Sequence, residues 1–381
     1  MKMKSVSLDH PALAVRGAMH KVQSAASLKA WRLPAWTWAQ SPDPAVDLMV
    51  GMTSGVRLCF TTDAEVLCLT VLETGIQLAG TPRRSATFDL YVDGIQHGSA
   101  EAKSGHTIVV DPKGPSFAAG SPSEIMFDAL GAGLKAIELW LPQSAQVEIL
   151  GLSVSSDAKI LPSSEPSGLR WAHYGSSISH GMEAKGPSWT WPAVAARKLG
   201  YELMNVGLAG QCHLDGFVAR SLRDGPFDAI SLEAGINIIG ADTMRRRVFA
   251  SALHNFLDTI REGKPDMPLL VVSPIFCPLL ETHTGPLERD GLASYGTTER
   301  PHSAADGALT LVEGRTIIAD VVARRRNAGD ANLSYLDGLT LFGAADEADL
   351  PDHLHPNAAG QERMGERFAA QGWATTLKTQ L

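Results

Sequence analysis

The sequence predicts a chain of two unlike parts: an all-β sandwich followed by an α/β domain built on a parallel sheet. Three observations carry this. Over residues 55–154 apolar side chains alternate with period two, and no helical period is evident. At residues 156–168 the chain becomes polar and rich in Pro and Ser, as connections between domains often are. Beyond that break, short apolar runs of strand length alternate with stretches of helical period. The domain bounds that follow are 1–155 for the sandwich, 156–169 for a linker and 170–381 for the α/β domain.

In the first part, Val56, Leu58 and Phe60 share one face of a strand. Phe88, Leu90 and Val92 repeat the pattern and run into Asp93-Gly94, a hairpin signal because both positions tolerate positive φ. Ile137, Leu139 and Leu141 form a third such run, and residues 147–150 a fourth. Short strands separated by Gly- and Pro-containing turns predict an antiparallel sandwich of the jelly-roll kind.

In the second part the expected strands are 171–174, 201–206, 227–232, 269–272 and 333–336. The expected helices are 191–199, 242–261, 309–325 and 357–371. Pro192 near the start of the first helix and Gly200 just past its end fit the usual asymmetry of helix ends. Alternation of this kind places a parallel sheet between two helical layers, with ligands at the carboxyl ends of the strands. The stretch 274–307 is long for a connection and predicts a lid or pocket wall.

The chain has 381 residues, ample for two cores. Its net charge of −8, with both signs scattered, argues against nucleic acid, which needs a concentrated basic face. Cys59, Cys68, Cys212 and Cys277 form no C-x-x-C pair; a Cys59–Cys68 disulfide is conceivable, but free thiols are expected. The N-terminus lacks an apolar run of signal-peptide length, and no stretch approaches the ~18 apolar residues of a membrane span. A cytoplasmic location without a membrane partner is the expectation. Oligomeric state is not legible.

Four segments stand at the carboxyl ends of expected strands: Gly175-Ser176-Ser177-Ile178-Ser179, Asn205 to Gly210, Gly235-Ile236-Asn237 and Asp352-His353-Leu354-His355-Pro356. Serine acyl transfer needs a nucleophile, a base, a group to orient the base, and donors for the oxyanion. The segments hold a candidate for each. A serine on a tight turn after a strand is exposed for attack. Glycine lets backbone N–H groups approach a tetrahedral oxygen. Asp352 precedes His355 by three residues, so carboxylate and imidazole can meet within one turn of chain.

These four segments resemble, in order, the four blocks of the SGNH hydrolases, also called the GDSL esterase/lipase family. The resemblance covers about the last 220 residues. It implies a flavodoxin-like three-layer α/β/α fold, Ser177 as nucleophile, His355 as base and Asp352 as its orienting carboxylate. It also implies an oxyanion hole of the Ser177 N–H, the Gly210 N–H and the Asn237 side chain. Ser176 stands where the family usually has aspartate. His353 lies outside the Asp-x-x-His-Pro register. Some members carry an appended β-sandwich, among them carbohydrate esterases and acyltransferases of natural-product and antibiotic biosynthesis; in the latter the sandwich resembles a carbohydrate-binding module.

The expected activity is therefore transfer of an acyl group, through an ester of Ser177, from a small-molecule ester or thioester to a hydroxyl acceptor. No cofactor or metal is required. An intracellular esterase is the alternative, and a carbohydrate-binding protein with a decayed catalytic domain is the alternative of another class. Trp189, Trp191 and His180, close behind Ser177, are candidate substrate contacts. For Trp31, Trp36 and Trp38, as for Trp189 and Trp191, a core or domain-interface place is the default expectation, and the sharper idea is that some of them line a pocket for a flat ring. His213 is expected at the surface or in a pocket wall.

Overall fold

A computed structural model describes residues 2–111, 113–290, 294–297 and 299–371. Contacts divide the chain into two units, Met1–Ser167 with Gly186–Ser188, and Gly168–Lys185 with Trp189–Leu381.

The first unit is a sandwich of an eight-stranded and a six-stranded sheet, antiparallel except where residues 74–78 run parallel to 106–110. The Asp93-Gly94 turn has φ of 50° and 79° and joins Ala86–Val92 to Ile95–Ala102, as its composition predicts. Leu58, Phe60, Leu69, Phe88, Leu90, Leu139 and Ile149 fill the space between the sheets. Two features were not legible. Pro44–Gly51 forms a helix because Asp43 caps it through the N–H groups of Ala45 and Val46, with Pro44 at its first position. Ile160–Leu161, inside the stretch read as linker, pairs with Thr61–Thr62, held there because Thr62 donates to the Lys159 carbonyl and Lys159 N–H to Asp63. All four cysteines are free thiols.

The second unit is a five-stranded parallel sheet. Its strands are β1 (Arg170–Gly175), β2 (Glu202–Gly207), β3 (Ala229–Glu233), β4 (Leu269–Val272) and β5 (Leu333–Leu336), in the order β2-β1-β3-β4-β5. Its helices are α1 (Ser177–His180), α2 (Trp191–Leu199), α3 (Gly216–Asp224), α4 (Ile236–Gly240), α5 (Arg246–Gly263), α6 (Leu311–Asn327) and α7 (Ala358–Ala370). This is the flavodoxin-like order. The chain leaves β1 toward β2 on one side and returns to β3 on the other, so the carboxyl ends of β1 and β3 flank the switch point where such sheets bind ligands.

β3 and β4 are buried at every position, and β4 reads as a continuous apolar run for that reason. Trp171 stacks on Phe368 of α7 with centroids 5.1 Å apart, and Tyr174 on Phe256 of α5 at 5.4 Å. Gly200 ends α2 in the left-handed conformation, and Thr310 with Glu313 forms a capping box on α6. The expected helix 242–261 starts later, at Arg246. Asp242 has φ of 50° and its carboxylate pairs with Arg245 and Arg300, which turns the chain before the helix begins. Within 274–307, Leu287–Asp290 and Ser294–Thr297 form a small hairpin; residues 291–293 and 298 lie outside the described residues.

Candidate active site

The site is built on the end of β1. Gly175 ends the strand and Ser176 caps α1, its Oγ accepting from the Ile178 N–H. Gly181 stops the helix after one turn with φ of 76°. This short turn is held from several directions. Asn205 donates from Nδ2 to the Ser179 carbonyl at 2.9 Å and accepts from the Gly207 N–H at 2.9 Å. His173 meets Ser179 Oγ through Nε2 at 2.7 Å and Ser231 Oγ through Nδ1 at 2.7 Å. Gln361 of α7 donates to the Ile178 carbonyl and accepts from the Trp191 N–H. A Cβ on Gly207 would overlap the backbone of Ser179 and His180, so α1 can lie this close only to glycine.

Ser177 Oγ lies 2.8 Å from His355 Nε2, and His355 Nδ1 lies 2.6 Å from Asp352 Oδ2. The other carboxylate oxygen, Oδ1, accepts the N–H groups of His355 and Leu354 at 2.7 and 3.0 Å. One aspartate thus closes the turn that carries the histidine and orients its ring. Burial by itself would raise the Asp352 carboxyl; the hydrogen bond and charge of His355, with the two backbone donors, outweigh it and hold the group below its ordinary value. Tyr295 of the hairpin sets its ring edge-on to His355, centroids 5.8 Å apart, and donates its N–H to the Asp352 carbonyl.

Gly210 is exposed, has φ of 71°, and has open space where a Cβ would stand. Asn237, in the first turn of α4, accepts the Cys212 N–H on Oδ1 at 3.1 Å. An amide fixed by its oxygen has its NH2 end left to donate elsewhere. Gly235, with φ of 126°, makes the turn from β3 into α4 that brings Asn237 here.

Three buried groups lie under these residues. Burial pushes Glu233, at the end of β3, up to about 7, lowers His173 to about 3, and raises the Cys212 thiol well above its ordinary value. Glu233 Oε2 accepts from both Ser176 Oγ and the Ser176 N–H.

Ser177, Asp352 and His355 are therefore brought together as the sequence anticipates, with Gly210 and Asn237 on segments from neighbouring strand ends. Of the three expected substrate contacts, Trp191 and His180 are buried and Trp189 is half-buried. Trp191 is 1% exposed and packs against Trp171, His173 and Phe368. It belongs to the core between sheet and α7, because its position at the start of α2 turns inward. His180 is fully buried, its Nδ1 accepting the Ala209 N–H at 3.4 Å, so it braces the loop that carries Gly210. Trp189 is half-buried with Lys185 Nζ 3.2 Å from its ring centroid and the Arg197 guanidinium at 5.2 Å, cations that engage the ring. His213 meets the Gly210 carbonyl and Thr243. In the sandwich, Trp31, Trp38 and His20 form a ring cluster in which Trp38 meets both of the others edge-to-face, with Trp31 and Trp38 lining a surface cavity of about 810 Å³. Trp36 is 41% exposed and so is not core. Among the described residues, no group of three or more His, Cys, Asp or Glu is arranged to hold a metal ion, and no helix is long and apolar enough to cross a membrane.

Residues 173–363 match the GDSL-like lipase/acylhydrolase family. A salicylyl-acyltransferase, SsfX3, from a tetracycline biosynthetic pathway is 30% identical, with a TM-score of 0.80 over 96% of this chain and 95% of that one. A protein of Bacteroides ovatus ATCC 8483 described as a GDSL-like lipase is 21% identical, with a TM-score of 0.69 over 98% of both chains. A family two carbohydrate esterase from Clostridium thermocellum shares the fold at 16% identity and a TM-score of 0.58, over 92% of this chain and 99% of that one. No curated protein is significantly similar in sequence.

Proposed function

The chain belongs to the GDSL-like lipase/acylhydrolase family, and from that premise we propose that it is an acyltransferase working through an ester of Ser177. Ser177 Oγ attacks the carbonyl of an ester or thioester while His355 Nε2 takes the proton. Asp352 keeps the imidazole in the tautomer that presents Nε2 as acceptor and stabilises the cation that results. The N–H groups of Ser177 and Gly210, with Asn237 Nδ2, receive the tetrahedral oxygen, and donors of this kind are worth about 3 kcal/mol each in the transition state. The leaving group departs with the proton from His355. A hydroxyl of a small, natural-product-like acceptor then attacks the acyl-enzyme, with His355 again as base.

The observation that carries this reading is the unbroken hydrogen-bonded line Ser177–His355–Asp352, at 2.8 and 2.6 Å. The choice of a hydroxyl over water as acceptor is supported by the likeness, over nearly the whole chain, to a salicylyl-acyltransferase. The test is partitioning. The enzyme is given an activated aryl ester with and without a series of hydroxyl compounds, and free acid and new ester are both quantified. Transfer is expected to dominate at millimolar acceptor with little acid formed in its absence. Fast acid release that no acceptor diverts would make the enzyme an esterase. Binding of glycans without any turnover would point instead to a carbohydrate-binding protein.

A further inference from the structure

Glu233 is the last residue of β3, only 3% exposed, and no step above uses it. One carboxyl oxygen, Oε2, accepts Ser176 Oγ–H at 3.0 Å and Ser176 N–H at 3.3 Å; the other, Oε1, is buried with no hydrogen-bond partner. A carboxyl half-satisfied at this depth is costly and is not explained by packing. We propose that Glu233 is a positioning residue for Ser177, acting through Ser176, and that its ionised form holds the nucleophile in line.

The relay is short. Ser176 has one hydroxyl proton and gives it to Glu233, which turns a lone pair toward the Ile178 N–H and caps α1. Its backbone N–H is tied to the same oxygen, so both ends of the residue before the nucleophile are fixed. Bonds to a carboxylate are about twice as strong as those to a neutral acceptor, so protonation of Glu233 loosens both at once. The peptide that follows carries the Ser177 N–H, so orientation at Ser176 sets both the attack angle and one oxyanion donor. The chain continues from Glu233 through Gly235 to Asn237, which links the same strand end to the other side of the site. The sequence departs from its family's pattern at one member of this pair. Ser176 stands where aspartate is usual, and an aspartate there would set a second carboxyl against Glu233 Oε2.

Burial pushes Glu233 up to about 7, so the change of state falls within the working pH range. The surrounding titratable groups are few. Tyr174 of β1 and the Cys212 thiol after β2 are both raised by burial and stay neutral; Asp215 acts on both of them. β4 brings Val272 opposite Glu233, with no titratable side chain.

The inference rests on Ser177 being the nucleophile, and the experiment separates the two claims. The full chain and its Glu233→Gln, Ser176→Asp and doubly substituted forms are assayed with an activated aryl ester from acid to alkaline pH. Glu233→Gln is expected to lower kcat roughly 10- to 100-fold at alkaline pH while KM stays within about threefold. Below neutrality log kcat/KM of the wild type falls more steeply than that of Glu233→Gln, by the one ionisation that belongs to Glu233. Its Tm at alkaline pH rises, since an uncompensated buried charge is gone. The double variant, which returns a carboxyl from position 176, recovers about tenfold over Glu233→Gln. A wild-type kcat and slope in Glu233→Gln would overturn the proposal, as would a pH-independent loss accompanied by a lowered Tm. If Glu233→Gln does not fold, Ser176→Ala must lose the same ionisation, and its retention overturns the proposal. Absence of any Ser177-dependent turnover in the wild type would instead overturn the underlying mechanism.

Discussion

In the proposed mechanism Asn237 uses the two ends of its amide for different tasks: Oδ1 is held by the Cys212 N–H, and Nδ2 would meet the substrate oxygen. Asn237→Ala is expected to lower kcat by roughly 10²- to 10³-fold with KM little changed, since the bond strengthens only as charge develops. A steady-state comparison in which KM carries the whole loss would contradict the assignment. Asp352 makes a different prediction. Its carboxyl is held below the ordinary value, so the stability it contributes is present above that value and is lost as pH falls through the folded-state value. Asp352→Asn removes that acid-side loss and leaves the imidazole badly oriented, and acid titration by circular dichroism alongside kcat reads both effects. At this scale the sequence was informative where chemistry is local. Asp352 and His355 are three residues apart, and their pairing could be read from spacing. Ser176 and Glu233 are 57 positions apart, and Gln361 reaches Ile178 across 183, so only the folded sheet brings those contacts together.

Among the elements, α1 is the one whose placement matters most for the mechanism. It is four residues long and cannot hold itself, so its position comes from β1, β2 and α7. Gly207→Ala would press a methyl into its backbone and is expected to cost about 1–3 kcal/mol of stability, with a larger proportional loss of kcat. Chemical denaturation and kinetics on the same preparation test this; a variant that is destabilised but fully active would contradict it. The strands were legible because short runs rich in apolar residues alternate with stretches of helical period. Helix starts were less so. The period of α5 extends back to Asp242 in the sequence, yet the Arg245 and Arg300 ion pairs with Asp242 bend the chain and delay the first turn to Arg246. Trp191, a candidate contact because it is close to Ser177 in sequence, is turned by its helix into the core, the default place for tryptophan.

At the scale of the whole molecule, the sandwich and the α/β unit each follow from periodicity, and the four blocks follow from their order along the α/β part. What periodicity missed in the sandwich is short or polar: the helix Pro44–Gly51 set by its cap, and the strand Ile160–Leu161 set by hydrogen bonds of Thr62 and Asp63. Stability of the α/β unit should depend on pH from both sides. His173 is buried neutral with its value lowered to about 3, so stability present above the ordinary histidine value is lost as pH falls below about 6.5. Glu233 has a raised value, so stability falls as pH rises from its ordinary value toward about 7. Scanning calorimetry across this range should show the acid-side loss reduced in His173→Gln and the neutral-side loss reduced in Glu233→Gln; unchanged profiles would contradict the burial argument.

The most direct test of the mechanism is intact-protein mass spectrometry after mixing with an activated aryl ester. The wild type should gain the mass of one acyl group, mapped by peptide digestion to Ser177, and added hydroxyl compounds should discharge it. Ser177→Ala should gain none while keeping its fold. An adduct on another residue, or normal turnover in Ser177→Ala, would contradict the account.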